Sequence, residues 1–185
     1  MINNDYDKWI SYTGKKFFSD IGMKKDQFVI DFGCAHGTYS IPASLIVGKK
    51  GRVYAVDKNQ ESLNKLINKI NEKELKNIEI IKVKDKLKIP LSEKSVDIVL
   101  LYDVLHLVEN RKNLYNEINR ILKHNGIVSV FPKHHQTYMN MTLEEVKDEI
   151  ESIGFDFNGK SLKTLMHNDH LEKGYILFFK KQSYK

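Results

Sequence analysis

Cysteine is almost missing from this chain: Cys34 is the only one in 185 residues. A single thiol can form neither an internal disulfide nor a cysteine-rich metal site. Arginine is nearly as scarce. Arg52, Arg111 and Arg120 are the only three among 30 basic residues, so the forked side chain suited to phosphates and base edges is in short supply. Three prolines are too few for a proline-rich linker. No apolar run approaches the roughly 18 residues of a membrane span, and Met1 to Lys8 lacks the apolar core of a secretory signal. These absences lead us to expect a cytoplasmic chain with no membrane span.

The composition that remains is that of a globular protein, 41% hydrophobic and 29% charged. Its length suits one domain. The net charge of +6 invites a polyanionic partner, yet its lysines are spread along the whole chain. A lysine-rich surface is the simpler reading, and nucleic acid is not favoured.

The order of elements is informative. Residues 1–26 read as a helical arm with Trp9, Ile10, Phe17, Phe18 and Ile21 as apolar positions. Residues 27–185 read as the main domain. Gln27 to Phe32 is a buried strand ending in the turn Gly33 to Gly37, and Thr38 is placed to cap a helix through Val47. Strands follow at Arg52 to Val56, Ile78 to Val83, Val96 to Tyr102 and Ile127 to Phe131. The helices between them carry inward faces of Leu63, Leu66, Ile67 and Ile70, then of Leu114, Ile118, Ile121 and Leu122, with Asn125-Gly126 as a stop. Thr142 with Glu145 forms a capping-box pattern. Phe155 to Lys163 and Gly174 to Lys180 are two last strands with no helix between them. This alternation predicts a single-domain α/β fold, a doubly wound, Rossmann-like seven-stranded sheet with an antiparallel last strand.

Ligands of such sheets bind at the carboxyl ends of the strands. The first turn reads Asp31-Phe32-Gly33-Cys34-Ala35-His36-Gly37. Its glycine spacing is not that of a dinucleotide site, and Asp31 is placed to meet a cation. Asp57 ends the second strand, where a carboxylate accepts both hydroxyls of a ribose. Asp85, after the third strand, suits an exocyclic amine. An ammonium, a ribose and an adenine without phosphates describe S-adenosylmethionine (SAM).

With these residues in hand, the sequence resembles the class I SAM-dependent methyltransferases, in the small-molecule branch that includes quinone-biosynthesis enzymes. The resemblance rests on VIDFGCAHGTYSIPAS, GRVYAVDKNQESL, KDKLKIPLSEKSVDIVLLYDVLHLV and LYNEINRILKHNGIVSVF, together spanning about residues 27 to 131. It implies a cofactor cleft formed by Asp31, Gly33, Gly37, Asp57 and Asp85, with backbone contacts from Cys34 and Ala35 and with Lys58 along the adenine. Lys86 and Tyr102 complete the cofactor side, and S-adenosylhomocysteine would be the product. Three positions depart from the family, one of them His36, where proline or glycine is common. Ala35 stands where glycine is usual, at a cost of about 1 kcal/mol if its φ is positive, and Lys86 follows the adenine-site acid where a small or apolar residue is common.

Acceptor-side groups are expected after strands four and five. Asp103 and His106 are three apart and share a face of a helical turn, which makes them the candidate catalytic pair with His106 as base. His36, His106, His134 and His135 all follow strand ends and suit a divalent cation or an anionic acceptor. Exposed loop histidines are the commoner outcome, as for His167 and His170, so no metal site is assigned. The arm's Tyr6, Trp9, Tyr12, Phe17 and Phe18 read first as packing and second as a lid. They fit packing within the chain or across a homodimer axis equally well.

The expected function is methyl transfer to a small-molecule acceptor. The alternative is a SAM- or S-adenosylhomocysteine-binding protein without turnover, a sensor or partner subunit, motivated by Ala35 and Lys86. An RNA methyltransferase is a weaker alternative. An NAD-dependent oxidoreductase fails on glycine spacing, and arsenite methylation fails on cysteine count.

Overall fold

The computed structural model describes residues 4–84 and 87–182, so Asp85 and Lys86 lie outside the described residues. Seven strands form one sheet in the order β3-β2-β1-β4-β5-β7-β6. They are β1 (Phe28–Phe32), β2 (Arg52–Asp57), β3 (Ile78–Lys82), β4 (Val96–Tyr102), β5 (Leu122–Phe131), β6 (Phe155–His167) and β7 (His170–Lys181). The first five pair in parallel, and β7 runs antiparallel to both β5 and β6. The predicted fold is the observed one. The order reverses between β1 and β4, so the carboxyl ends of β1, β2, β4 and β5 open onto one crevice.

Hydrophobic patterning explains the layout. β4 is apolar at nearly every position because it lies between β1 and β5 with both faces covered. Helices α3 (Ser40–Val47), α4 (Gln60–Glu72), α5 (Arg111–Ile121) and α6 (Leu143–Glu151) link or flank the strands. α4 buries Leu63 and Leu66, whereas Ile67, expected inward, is exposed. The Thr142–Glu145 capping box forms as expected.

Three boundaries differ from the sequence reading. Thr38 does not cap α3. The helix begins at Ser40, and the Ser40 hydroxyl turns to Asp31 instead. α5 ends at Ile121, because Leu122 already pairs with Val96 of β4, and Asn125-Gly126 is a bend inside β5 with Asn125 at φ +60°. The last hairpin is much longer than expected. Asn168 and Asp169 both adopt positive φ, +48° and +62°, a two-residue turn whose twist suits a tight hairpin. It carries β6 on to His167 and starts β7 at His170.

The arm consists of α1 (Asn4–Lys8), a π turn (Trp9–Thr13) and α2 (Gly14–Asp20). A Cβ on Gly14 would stand 2.7 Å from the Trp9 carbonyl oxygen and 2.9 Å from Pro42 Cβ, so glycine permits α2 to lie on α3. Trp9, Phe17 and Phe18 are buried with Tyr39 and Tyr102 in one aromatic cluster. Trp9 Nε1 also donates to the Thr38 carbonyl at 2.8 Å. Tyr12 stays exposed, and Tyr6 is partly so.

Candidate active site

At one end of the crevice the chain folds a glycine turn between β1 and α3. The Gly33 and Cys34 amides both donate to the Val56 carbonyl, at 2.8 and 3.1 Å, which ties the turn to β2. Gly33 and Gly37 have φ of +75° and +88°, values that favour glycine. Neighbours would also reject a side chain, since a Cβ would lie 2.4 Å from Val104 Cγ2 at Gly33 and 2.3 Å from Leu66 Cδ1 at Gly37. Ala35 adopts φ +46°, so a left-handed conformation that favours glycine is met here by alanine.

Two carboxylates flank this turn. Asp31 is 2% exposed and accepts from Ser40 Oγ at 2.5 Å. Burial outweighs that hydrogen bond and pushes its pKa up to about 7, with the neighbouring Asp57 charge adding to the rise. Asp57 is more open. Its Oδ2 accepts from the Ala35 amide at 2.8 Å and its Oδ1 from the Asn59 amide at 2.9 Å. Lys58 is exposed beside it. Cys34 is buried, and that burial raises its thiol well above the ordinary range. Tyr102 is buried in the aromatic cluster with its hydroxyl 2.7 Å from Ser129 Oγ.

The other end is built around Asp103. Its amide donates to the Phe131 carbonyl at 2.9 Å, and it takes φ +52° as the chain leaves β4 for the short 3-10 turn Leu105–Leu107. Strained backbone of this kind concentrates at functional sites. Three histidines surround the carboxylate. His106 Nδ1 lies 3.7 Å from Oδ1, His134 Nε2 3.6 Å from Oδ1, and His167 Nδ1 2.8 Å from Oδ2. Burial raises the Asp103 pKa in spite of the histidines, and burial lowers that of His106. Tyr138 stacks on His106, with ring centroids 5.4 Å apart, and meets His134 edge-on at 5.0 Å.

The predicted Asp103–His106 pair is thus brought together, and His134 joins it. His135 does not; its Nδ1 contacts the Met141 carbonyl. His36 lies 3.9 Å from Asp169 and 3.3 Å from the Thr38 hydroxyl. His167, read from the sequence as a loop histidine, is the residue not predicted at this site. The available signal for His167 was the Asn168-Asp169 pair, which is a hairpin turn sequence.

The two ends meet. Val104, next to Asp103, fills the space that a Gly33 side chain would need.

Residues 23–170 match the methyltransferase domain family. A demethylmenaquinone methyltransferase of Lactobacillus johnsonii is 32% identical over 116 residues, covering 63% of this chain and 48% of that protein. One from Staphylococcus aureus is 27% identical over 114 residues, covering 62% and 46%. The matched region therefore spans about half the length of these curated relatives. The crystal structure of a SAM-dependent methyltransferase from Aquifex aeolicus superposes with a TM-score of 0.78 at 22% identity, covering 95% of this chain and 93% of that one. A cyclase structure superposes at 0.72 with 13% identity, covering 90% and 81%, so the fold alone does not decide the reaction. Matched over most of its length and carrying the glycine turn with its flanking carboxylates, the chain belongs to the class I SAM-dependent methyltransferases.

Proposed function

We propose that this chain transfers a methyl group from S-adenosylmethionine to a small-molecule acceptor seated between the glycine turn and the Asp103–His106 group. The observation that carries the reading is the contact of Val104 with Gly33, which joins the donor and acceptor ends within one crevice. The glycine turn fits the cofactor, because a tight turn with two positive-φ glycines holds the Asp31 and Asp57 carboxylates on either side of it. Asp57 would accept the ribose hydroxyls, and Asp31 would face the ammonium, whose charge favours the ionised carboxylate. The cofactor supplies a methyl group on a sulfonium, an activated leaving group that needs no further activation from the protein.

The chain then contributes proximity, orientation and proton handling. Burial lowers the His106 pKa, which favours the neutral imidazole that accepts a proton. Asp103 beside it stabilises the imidazolium that results. Exposed Tyr138 and Leu107 offer apolar contact to an acceptor ring. The names of the curated relatives support a quinone-type acceptor as the first probe.

The test is methyl transfer from labelled SAM to a panel of quinols, phenols and amines. Turnover of at least one acceptor is expected, and His106→Ala should lower kcat by at least about tenfold with little change in SAM affinity. An equal loss of both would move His106 to the cofactor side. SAM binding with no transfer to any acceptor would favour the reading of a sensor or partner subunit.

A further inference from the structure

We infer that Asp103, His106 and His134 form a binding site for a divalent transition-metal ion of the zinc class, with His167 as the residue that positions the Asp103 carboxylate. One nitrogen from each of His106 and His134 and one oxygen of Asp103 all lie within 4.8 Å of one another. Two imidazoles and a carboxylate are the donor set of borderline divalent ions.

The spacing distinguishes this group from a hydrogen-bonded cluster. His106 Nδ1 and His134 Nε2 stand 3.7 and 3.6 Å from the same oxygen, Asp103 Oδ1, too far for hydrogen bonds. They are close to the edge of a coordination tetrahedron, about 3.4 Å for donors about 2.1 Å from the metal. Asp103 Oδ1 is buried and accepts no hydrogen bond among the described residues. A buried carboxylate oxygen without a partner calls for an explanation, and a cation shared with two imidazoles supplies one.

The other carboxylate oxygen is held differently. His167 Nδ1 lies 2.8 Å from Oδ2, and the amide nitrogen of Asn168 lies 3.0 Å from His167 Nε2. An amide nitrogen only donates, so His167 Nε2 accepts and its Nδ1 carries the proton that goes to Asp103. Metal-binding carboxylates are oriented by such hydrogen bonds. Tyr138 covers the two ligand rings from the solvent side. Three protein ligands leave a position open, as in catalytic rather than structural sites. With the ion bound, His106 serves as a ligand instead of a base. The acceptor class this suits bears an ionisable hydroxyl, whose oxygen would bind the ion and lose its proton to water at lower pH, in place of transfer to His106. That role rests on the proposed methyl transfer, whereas the existence of the site does not.

The experiment uses the full chain, stripped with a chelator and titrated with Zn2+ against a chromophoric competitor, with Co2+ as a spectroscopic probe. One ion per chain is expected, together with the intense visible band of low-coordinate Co2+. His106→Ala and His134→Ala should each weaken Zn2+ at least about tenfold. His167→Ala should weaken it by about tenfold, and His170→Ala, which removes an exposed histidine, should leave it unchanged. His134→Asn, which keeps a polar side chain, repeats the test if alanine unfolds the chain. Zn2+ affinity indifferent to His106 and His134, equal losses in His170→Ala, or a Co2+ spectrum like that of the aqueous ion would each overturn the site. SAM titrated into the same samples separates the two readings. SAM binding without Zn2+ binding removes the metal site alone, and Zn2+ binding without SAM binding removes the methyl-transfer reading alone.

Discussion

The two ends of the crevice are built by opposite strategies. The proposed donor end comes from neighbouring stretches of chain, Asp31 to Ser40 and Val56 to Asn59, with polar groups that satisfy one another. Asp57 holds the Ala35 and Asn59 amides, and Ser40 holds Asp31. The proposed acceptor end gathers Asp103, His134 and His167 from three distant segments and, among the described residues, leaves one Asp103 oxygen without a hydrogen bond. A cofactor shared across a family suits a compact, self-satisfied cradle. An acceptor particular to one protein suits a group assembled from loops, where substitution changes specificity at little cost to the fold.

The sharpest break of this contrast concerns Asp31, the buried carboxylate of the proposed donor end. Its native pKa of about 7 exceeds the 3.8 of an unperturbed aspartate. The native state therefore keeps a proton that the unfolded chain has already lost, and stability falls as pH rises from about 4 to about 7. The full effect is at most about 4 kcal/mol. Asp31→Asn, which keeps a hydrogen-bonding partner for Ser40, should flatten that fall in urea unfolding while weakening SAM. An unaltered pH profile would show that Asp31 ionises freely.

Next in size is Gly33→Ala. Left-handed strain adds to a Cβ placed 2.4 Å from Val104 Cγ2, for a loss of about 2–4 kcal/mol. Gly22→Ala is the control, because its φ is +89° with nothing within 4 Å, so only the strain, about 1 kcal/mol, should register. If the two variants matched, the donor and acceptor turns would not be pressed together. The smallest effect belongs to Ala35→Gly. Relief of φ +46° should stabilise the chain by about 0.5–1 kcal/mol, read as a rise in Tm. A fall in Tm would mean that the turn tolerates alanine without strain.

The same contrast explains what the sequence made legible. Asp31, Gly33, Gly37 and Asp57 are readable because strand ends fix their mutual positions, and the sheet order follows from alternating helices and strands. Asp103 and His106 are readable because they share one turn. His134 and His135 are adjacent and chemically identical, and only the packing after Pro132 sends one to Asp103 and the other to the Met141 carbonyl. His167 arrives through a hairpin four residues longer than the apolar pattern implied. β6 alternates exposed and half-buried positions from Asp156 to Thr164, so no hydrophobic run marks where it goes. Tyr102 has the right address, at the end of β4, but its ring turns into the aromatic cluster beneath the arm.

The most direct test of the central claim is calorimetric titration of SAM and S-adenosylhomocysteine into the wild-type chain and Asp57→Ala, with NAD as control. The account predicts one saturable site for the two sulfur ligands, none for NAD, and an affinity at least about tenfold weaker in Asp57→Ala, or about 1.5–3 kcal/mol for lost hydrogen bonds to a charged group. Absence of SAM binding to the wild-type chain, or equal affinity in the two proteins, would contradict it.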